Sequence, residues 1–410
     1  MSGDDLPLKD VKIVDFGRLG TGGWSTQCLG AYGAEVIKVE SMAALDPLRG
    51  APIYEGGVKS LNRSAIFLSA NNCKKGFGLN LKTREGIEIA KKLVAWADVV
   101  AENFSPGSID KMGLGYEELK KVKEDIIMLN VSIQGQSGPN RGFGGFGFNT
   151  VSLTGISHLV GWDDKGPAGI QTAYPDNIAP LFSVIAVMCA LDYRKRTGKG
   201  QQIDLCQYET TLYFLQPAVI DYTSNQRAAG RIGNHAPDAV PHAAYPCLGD
   251  DRWLVIAVRT DQEWRSLCRV AEETDWAKEE KFQTFMGRKA NEERLDRAIG
   301  EWTKGYHAEE LMAILQAHGV EAAVVKNAKD TMEDAQLRHR GFFQAVTGHG
   351  EIEGSYGATD FPFKMRNVRP DFKPAPCVGE DTREICSEVL GMSPAEIDRL
   401  IAAGVLEASE

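Results

Sequence analysis

The stretch VDFGRLGTGGWSTQCLGAYGAEVIKVE, residues 14–40, combines an apolar run, a glycine-rich turn, a helical segment and a second apolar run that ends on an acid. This order predicts two parallel strands joined by a crossover helix over 24–32. Glycines in such a turn let a ligand phosphate approach backbone N–H groups at the helix N-terminus. The stretch therefore predicts either a turn that binds a phosphate-bearing ligand or a turn with a structural role alone.

The spacing of the glycines argues against NAD as that ligand. They stand at 17, 20, 22 and 23, whereas the dinucleotide fingerprint has the spacing G-x-G-x-x-G. Glu40 does follow Gly20 by twenty residues, which is the position of a ribose-binding acid. At this point the pattern leaves NAD, another phosphate-bearing ligand and a structural turn all open.

Strand-like and helix-like runs continue to alternate up to about residue 140. Further strand-like runs lie at 65–70, 99–102 and 126–131, and a helix is predicted over 84–97. Most of these runs are apolar at successive positions, as in a parallel sheet that is covered on both faces. The chain is therefore predicted to have an α/β fold with a large parallel sheet.

A change in composition divides the chain. Residues 225–246 mix Gly, Pro, Asn and Arg without periodicity, which predicts a linker. We expect 1–224 to form the N-terminal part of a large domain and 247–330 to form a small α/β domain. Residues 331–410 are expected to be a return linker followed by the C-terminal part of the large domain.

The composition of the chain limits the classes of protein to which it can belong. The 410-residue chain has a formal net charge of −10, without the basic excess typical of a nucleic-acid-binding protein. Its eight cysteines include no C-x-x-C pair, and its seven histidines lack the spacing of metal ligands. It shows no signal-peptide pattern and no apolar run of about 18 residues. We expect a cytoplasmic protein with no metal and no nucleic-acid or membrane partner.

Asp176 is the first candidate for a catalytic residue. It precedes an apolar helix predicted over 177–193, and Pro180 places the start of that helix close to the aspartate. An aspartate at a helix N-terminus is commonly a structural cap. The helix dipole also keeps such a carboxylate ionised, and an ionised carboxylate can attack an activated acyl group. The pattern alone leaves both roles open.

Two further pairs of residues follow strand-like runs. Lys74 and Lys75 come after 65–70 and are candidates for holding phosphates, or else are two solvated lysines in a turn. Asn103 and Phe104 come directly after 99–102, at the sheet edge where open α/β sheets bind ligands. Their structural alternative is an ordinary loop.

Taken in order, seven segments of the chain resemble the class III CoA-transferase family, which includes formyl-CoA transferase, crotonobetainyl-CoA:carnitine CoA-transferase and the α-methylacyl-CoA racemases. They extend from residue 11 to about residue 406, and the ordered set carries the resemblance. The segments are VKIVDFGRLGTGGWSTQCLGAYGAEVIKVE, NNCKKGFGLNLKTREG, ADVVAENFSPGSIDKMGLGYEEL, SIQGQSGP, YPDNIAP, RKRTGKGQQID and EDTREICSEVLGMSPAEIDRLIAAGVLE.

The resemblance implies a Rossmann-like large domain built from both chain ends, a smaller inserted α/β domain, and two subunits interlocked like rings in a homodimer or a heterodimer with a related subunit. It also implies CoA rather than NAD as the ligand, bound as a substrate and not as a resident cofactor. The positions it assigns to CoA contacts are Arg18, Leu19, Gly20, Lys74, Lys75, Asn103, Phe104 and Lys111. Ser41 and Cys73 depart from the family pattern, which puts individual phosphate contacts in doubt.

The resemblance further implies that Asp176 attacks the donor acyl-CoA and forms an aspartyl anhydride and then an aspartyl-CoA thioester. The racemase branch carries a histidine at position 146, where this chain has Phe146, so transfer is favoured over racemisation as the alternative. His235, in HAPDAVP at 235–241, is assigned to the acceptor pocket together with Phe146. The expected donor is succinyl-CoA and the expected acceptor a substituted succinate such as benzylsuccinate. A catalytically idle partner subunit is the second alternative.

Overall fold

The computed structural model of the chain describes residues 6–348 and 350–409. These residues form two compact units. The first consists of Met1–Gly155, Ile170–Asn225 and His339–Glu410, and the second of Ile156–Gly169 and Gln226–Arg338. The second unit therefore includes a short segment that precedes Asp176 in the chain. The domain limits predicted from the sequence stay a prediction.

The described residues contain twelve strands. They are β1 Lys12–Asp15, β2 Glu35–Glu40, β3 Lys75–Leu79, β4 Val99–Glu102, β5 Ile127–Ser132, β6 Gln202–Cys206, β7 His242–Pro246, β8 Trp253–Ala257, β9 Glu321–Val324, β10 Phe343–Thr347, β11 Ser355–Thr359 and β12 Leu406–Glu407.

The same residues contain eighteen α-helices, besides short 3₁₀ turns and a π-helical turn at Ile385–Val389. They are α1 Leu19–Ala31, α2 Ala65–Asn71, α3 Arg84–Trp96, α4 Ser108–Lys111, α5 Tyr116–Val122, α6 Gly147–Leu153, α7 Ile156–Leu159, α8 Tyr174–Thr197, α9 Gln207–Leu212, α10 Gln216–Asn225, α11 Asp261–Val270, α12 Phe285–Ala290, α13 Glu292–Thr303, α14 Ala308–Ala317, α15 Ala328–Glu333, α16 Ala335–His339, α17 Thr382–Glu384 and α18 Pro394–Ala402.

The first unit is built on a seven-stranded sheet with the order β12-β3-β2-β1-β4-β5-β6. Strands β1 to β6 are parallel to their neighbours, and only β12 pairs antiparallel, with β3. The order 3-2-1-4-5-6 is that of the dinucleotide-binding fold. The predicted α/β fold with a large parallel sheet is therefore confirmed.

Both faces of this sheet are covered. Val14, Ile37 and Val100 belong to the core on one face, and the residues that precede or follow them, such as Ile13 and Val99, belong to the core on the other. Successive side chains of a strand point to opposite faces, so a strand buried on both sides has to be apolar at successive positions. This explains why the strands read as continuous apolar runs in the sequence.

Two elements differ from the sequence-based predictions. Residues 65–70 were predicted as a strand but form helix α2, because Phe67, Leu68 and Ala70 are buried at a spacing that places them on one side of a helix. Helix α8 begins at Tyr174, and Asp176 is its third residue instead of its cap. Pro175 fits in this first turn because its nitrogen has no hydrogen to leave unpaired.

The second unit has its own sheet and core. Strands β7, β8 and β9 form an antiparallel sheet in that order. Leu254 and Ile256 of β8 point into a core that also contains Trp264 of α11, Leu295 of α13 and Leu311 of α14. The alternate residues of β8, Trp253 and Val255, are exposed.

Helix α8 is long and apolar enough, by length and composition, to cross a membrane. In this fold it packs against α1, α6 and α9 and against strands β5 and β6. A core helix of a globular unit passes the same length and hydropathy test, so one such helix is weak evidence for a membrane span.

Buried charges hold the turn that follows β1. The Lys38 ammonium donates to the Gly17 carbonyl at 2.8 Å and to Asp46 Oδ2 at 3.0 Å. Asp46 Oδ1 in turn accepts the Leu19 N–H at 3.1 Å. Burial and the charge of Lys38 act in opposite directions on the pKa of Asp46, and the net effect is to lower it.

Glu40 belongs to the same buried region. Its carboxylate pairs with the guanidinium of Arg49, which also donates to Asn62 at 2.9 Å and to the Pro376 carbonyl at 3.0 Å. The guanidinium lies 3.7 Å from the centre of the Phe67 ring. Glu40 is only 3% exposed, so the acid at the position of a ribose ligand has a structural partner instead.

We expect Arg49→Met to lower the free energy of unfolding by about 3–5 kcal/mol, because it leaves the Glu40 carboxylate buried without its cation. Urea denaturation measures this loss. The matched control is the double variant Glu40→Gln with Arg49→Met, which removes the unpaired charge and is expected to recover part of the stability. A double variant as unstable as the single one would contradict this account.

Candidate active site

A small cavity of about 120 Å³ lies in the first unit and is lined by residues that follow β1, β4, β5 and β6. The chain leaves β1 towards β2 on one side of the sheet, and β4 adds on the other side. In open parallel sheets this reversal of strand order leaves a crevice at the carboxyl ends, where ligands bind. Lining residues include Leu19, Thr21, Asn103, Phe104, Asp176 and Gln207.

Asp176 is held through one of its two oxygens. Oδ1 accepts hydrogen bonds from Gln207 Nε2 at 2.7 Å and from Thr21 Oγ1 at 2.9 Å. Gln207 Nε2 also donates to Thr21 Oγ1 at 2.8 Å, so the three side chains form a triangle. Among residues 6–348 and 350–409, no hydrogen bond to Oδ2 is found. Oδ1 is thus held by two hydrogen bonds, whereas Oδ2 has none from the part of the chain that the structure describes.

Burial raises the pKa of the Asp176 carboxyl, while the hydrogen bonds from Gln207 and Thr21 act in the opposite direction because they stabilise the carboxylate. Asp176 also lies in the first turn of α8, where the helix dipole favours an anion. Both donors are neutral groups. The net effect raises the pKa of Asp176, and the two donors stabilise the carboxylate, the nucleophilic form, without pairing it with a cation.

Gly147 makes room for this carboxylate. It is the first residue of α6, and a Cβ atom built there would lie 2.8 Å from both Cγ and Oδ2 of Asp176. It would also lie 2.7 Å from Cβ of Ala173. Real side-chain atoms do not approach so closely, so only glycine allows the helix to pass the carboxylate at this distance.

The expected CoA-contact residues of the turn are brought together. The Asn103 side chain makes two hydrogen bonds to the backbone of Arg18. Its Oδ1 accepts the Arg18 N–H at 2.8 Å, and its Nδ2 donates to the Arg18 carbonyl at 2.7 Å. The Arg18 guanidinium lies 5.3 Å from the centre of the Phe104 ring. Gly20 packs so tightly that a Cβ would meet the Trp24 ring at 2.3 Å.

Arg18 carries a positive charge near Phe104, which lines the cavity, but Arg18 itself does not belong to the lining. Its Nε is buried and has no hydrogen-bond partner in the part of the chain that the structure describes. Burial lowers the pKa of the guanidinium, and the nearby charges of Asp46 and Glu40 act in the opposite direction. A guanidinium with an unpaired N–H group is suited to bind a phosphate or a carboxylate that reaches it.

Lys74 has a different position from the one expected of a phosphate contact. Its ammonium donates to Asp15 Oδ2 at 2.8 Å, to the Gly23 carbonyl at 2.8 Å and to Asn71 Oδ1 at 2.9 Å. All three hydrogens are therefore engaged inside the protein. Burial lowers the pKa of this lysine to about 8. The expectation for Lys74 overlooked this buried partner, because Asp15 is 59 residues away in sequence.

Five further predicted residues lie outside the lining of the Asp176 cavity, namely Arg18, Gly20, Lys75, Lys111 and His235. Lys75 pairs with Glu35 at 3.1 Å and with Glu384 at 2.8 Å. Lys111 ends α4 and is exposed. His235 belongs to the second unit, where its Nε2 lies 3.4 Å from Asp296 Oδ2.

Phe146 does line the cavity. It is 65% exposed and caps α6, and Phe143 lies beside it in the same lining. A phenyl ring has no exchangeable proton, so position 146 offers no second base to Asp176.

Sequence analysis missed Thr21, Gly147 and Gln207. Thr21 lies within the glycine turn, but nothing in the sequence links it to Asp176, 155 residues away.

The described residues contain no group of three or more His, Cys, Asp or Glu side chains placed to hold a metal ion. The polar groups around the cavity are a carboxylate, neutral donors and a nearby guanidinium. This set can hold an anionic ligand and present one carboxylate oxygen to it.

A family model for CoA-transferase family III matches residues 8–382. The chain belongs to this family and is a CoA-transferase, so a CoA thioester is one of its substrates. The succinyl-CoA–D-citramalate CoA-transferase of Chloroflexus aurantiacus is 31% identical, over 98% of both chains. The succinyl-CoA:glutarate CoA-transferase of Mus musculus is 32% identical, over 98% of this chain and 91% of its own.

Two further comparisons concern architecture. A crystal structure of a CaiB/BaiF family protein from Brucella suis has a TM-score of 0.85 and 31% identity, covering 94% of this chain and 99% of its own. The alpha subunit of a succinyl-CoA–L-malate CoA-transferase of Chloroflexus aurantiacus is 29% identical, over 97% of this chain and 92% of its own. The family therefore includes relatives named as subunits of larger enzymes.

We expect Gly147→Ala to abolish most CoA transfer, because the added methyl group displaces the Asp176 carboxylate. The rate of acyl-CoA conversion measures the effect. Gly142→Ala is the matched control, since a Cβ there meets nothing within 4 Å and Gly142 lies in the same glycine-rich loop. Equal activity of the two variants would show that the position of the carboxylate is unimportant.

Proposed function

We propose that this protein transfers CoA from succinyl-CoA to a substituted succinate, with Asp176 as the nucleophile. The observation that carries the proposal is the Asp176 carboxylate, which belongs to the lining of the cavity at the carboxyl ends of the strands and is held through Oδ1 by neutral donors. The family and the names of the two relatives that act on succinyl-CoA support it.

In the first half of the reaction, Asp176 Oδ2 attacks the thioester carbon of succinyl-CoA and expels the CoA thiolate. The product is an aspartyl-succinyl anhydride. The thiolate then attacks Cγ of Asp176, expels succinate and leaves an aspartyl-CoA thioester. Each step exchanges one acyl bond for another. The transfer therefore proceeds through covalent intermediates, and no acyl-CoA is hydrolysed by water.

In the second half, a carboxylate of the acceptor attacks the same Cγ and expels the thiolate. The product is a second anhydride, between Asp176 and the acceptor. The thiolate then attacks the acceptor carbonyl, releases the new acyl-CoA and restores the Asp176 carboxylate. The thiolate has to stay near Asp176 throughout. The turn at Arg18, Leu19 and Gly20, with Asn103 and Phe104, is the proposed CoA-binding wall, and Arg18 supplies its charge.

The cavity lining supports a substituent on the acceptor. Phe143, Phe146 and Phe104 contribute aromatic surface beside Asp176. D-citramalate and L-malate, which appear in the names of relatives, are substituted succinic acids, and benzylsuccinate is another. An aromatic or alkyl substituent would gain contact with these rings, whereas oxalate offers none.

The test incubates the purified protein with succinyl-CoA, traps the acylated enzyme with hydroxylamine and locates the modification by mass spectrometry. We expect an adduct on Asp176, and loss of at least about 10³-fold in kcat for Asp176→Ala because the covalent route is removed. Activity that persists in Asp176→Ala, with no adduct in the native protein, would overturn the mechanism.

The same preparation tests the acceptor. We expect transfer to benzylsuccinate and alkylsuccinates at rates above those for oxalate or carnitine-type acids. Preference for the latter acids would reject the proposed acceptor class. Conversion of one enantiomer of a branched acyl-CoA into the other would instead support the racemase alternative, which Phe146 disfavours. No adduct and no transfer, unless a second related subunit is added, would identify an idle partner subunit.

We further propose that the protein acts as an interlocked homodimer, or as a heterodimer with a related subunit. Leu181 and Ile185 on α8 are 60% and 59% exposed, and Tyr213 and Phe214 are 59% and 51% exposed. The Phe182 ring contacts both Tyr213 and Phe214, and Leu181 and Ile185 are exposed on the same helix as Phe182. An apolar surface of this kind on a soluble enzyme marks an interaction site.

Light scattering is expected to give twice the chain mass of 44.8 kDa for the native protein alone if it is a homodimer. Ile185→Lys is expected to shift it towards the monomer, because a charge cannot be buried there without a partner. Met286→Lys, at a position 73% exposed in the second unit, is the control. A dimer unaffected by Ile185→Lys would place the interface elsewhere.

A further inference from the structure

We infer that Gln207 and Thr21 form an oxyanion hole for Asp176 itself. Their hydrogen bonds stabilise negative charge on Oδ1 whenever Cγ is attacked, and they keep Oδ1 on Asp176 while Oδ2 is exchanged. The inference rests on the proposed function, in which Asp176 is the nucleophile. It goes further by assigning each oxygen of Asp176 a fate and by naming two catalytic residues.

The donors are fixed before any ligand binds. Gln207 and Thr21 are 6% and 5% exposed. Gln207 is the first residue of α9, and the hydroxyls of Thr210 and Thr211 bind its carbonyl at 2.8 Å and 2.9 Å. Thr21 lies in the first turn of α1, where Ser25 donates to its carbonyl at 2.7 Å. Donors that need no rearrangement stabilise developing charge most effectively.

Hydrogen bonds link all three side chains of the triangle. Gln207 Nε2 donates to Thr21 Oγ1 at 2.8 Å and to Asp176 Oδ1 at 2.7 Å. The Thr21 hydroxyl accepts the first of these and donates its own hydrogen to Oδ1. Oδ1 therefore receives two hydrogen bonds from neutral groups. Accepting a bond from Gln207 polarises the hydroxyl, which strengthens the bond that it donates.

The reaction places charge on this same oxygen. When the CoA thiolate attacks Cγ of the anhydride, a C–S bond forms and the π electron pair of the Cγ–Oδ1 bond moves onto Oδ1. The intermediate collapses by breaking the Cγ–Oδ2 bond, and succinate leaves with Oδ2 and its electron pair. Attack of the acceptor carboxylate on the thioester puts the charge on Oδ1 again, and the thiolate leaves.

These steps determine what happens to each carboxylate oxygen of Asp176. Oδ2 leaves with the donor acid in the first half of each turnover. It is replaced in the second half by an oxygen of the acceptor carboxylate, which stays on Cγ when the thiolate attacks the acceptor carbonyl. Oδ1 stays on Asp176 because two donors hold it. Gly147 lets α6 pass close to Cγ and Oδ2, where a side chain would displace the carboxylate.

The test uses an acceptor acid whose carboxylates carry ¹⁸O, in unlabelled water, and follows many turnovers before mass spectrometry of the peptide that contains Asp176. In the native protein we expect one labelled oxygen on Asp176. In Gln207→Leu we expect kcat to fall by about 10²–10³-fold, as for other oxyanion-hole donors, with a small change in KM for succinyl-CoA. We also expect a second labelled oxygen to appear, because the carboxylate can rotate between turnovers.

Two sets of variants separate catalysis from folding. Thr21→Ser keeps the hydroxyl and is expected to behave like the native protein, whereas Thr21→Val removes it and is expected to resemble Gln207→Leu. Gln336→Leu makes the same chemical change at an exposed position of α16 and should leave kcat unchanged. If Gln207→Leu does not fold by circular dichroism, the Thr21 pair alone decides the question.

The outcomes also separate this inference from the proposed function. Two labelled oxygens in the native protein, or native kcat in both Gln207→Leu and Thr21→Val, would overturn the oxyanion hole while leaving Asp176 as the nucleophile. Product formation with no label on Asp176 in the native protein would overturn the nucleophile itself.

Discussion

The structure of the site depends on buried charged side chains beneath the turn that follows β1. Asp15 ends that strand, accepts the Gly17 N–H at 2.7 Å and pairs with Lys74 at 2.8 Å. Lys38 of β2 binds the Gly17 carbonyl from the other side, at 2.8 Å. Charges with so little access to water remain stable only when each has partners close by. The turn is thus fixed by three neighbouring strands, and α1 begins in one place.

The position of α1 decides the rest of the site. Thr21 lies in its first turn and reaches Asp176, which α8 brings to the same edge of the sheet. Asn103, directly after β4, ties the backbone of Arg18 to the neighbouring strand end. The cavity is therefore assembled from four strand ends that share one edge, as the parallel topology requires. A shift in the turn would move the donor, the cation and the proposed CoA wall together.

The sequence predicted those parts that leave a local pattern. Continuous apolar runs identified the buried strands β1, β2, β4 and β5, and Pro180 placed Asp176 near the start of α8. It could not show which side chains meet across the sheet. Lys74 was a candidate for holding phosphates because its partner Asp15 is distant in sequence, and the sequence could not show that Arg49 is the partner of Glu40, which has only the spacing of a ribose-binding acid. Thr21 and Gln207 are common residue types whose role exists only in three dimensions.

The neutral character of the donors to Asp176 follows from what the reaction must do. Succinyl-CoA, the proposed donor, carries a free carboxylate of its own and has to approach the anionic Asp176, and two unit charges 4 Å apart repel by about 4 kcal/mol at an effective dielectric constant of 20. A lysine on Oδ1 would reduce this repulsion but would also weaken the nucleophile. Two hydrogen bonds to a charged group, each worth about 1.5–3 kcal/mol, offset a similar amount and leave Oδ2 anionic. Gln207 and Thr21 therefore stabilise the charge without neutralising it, and Arg18 stays on the side where CoA is proposed to bind.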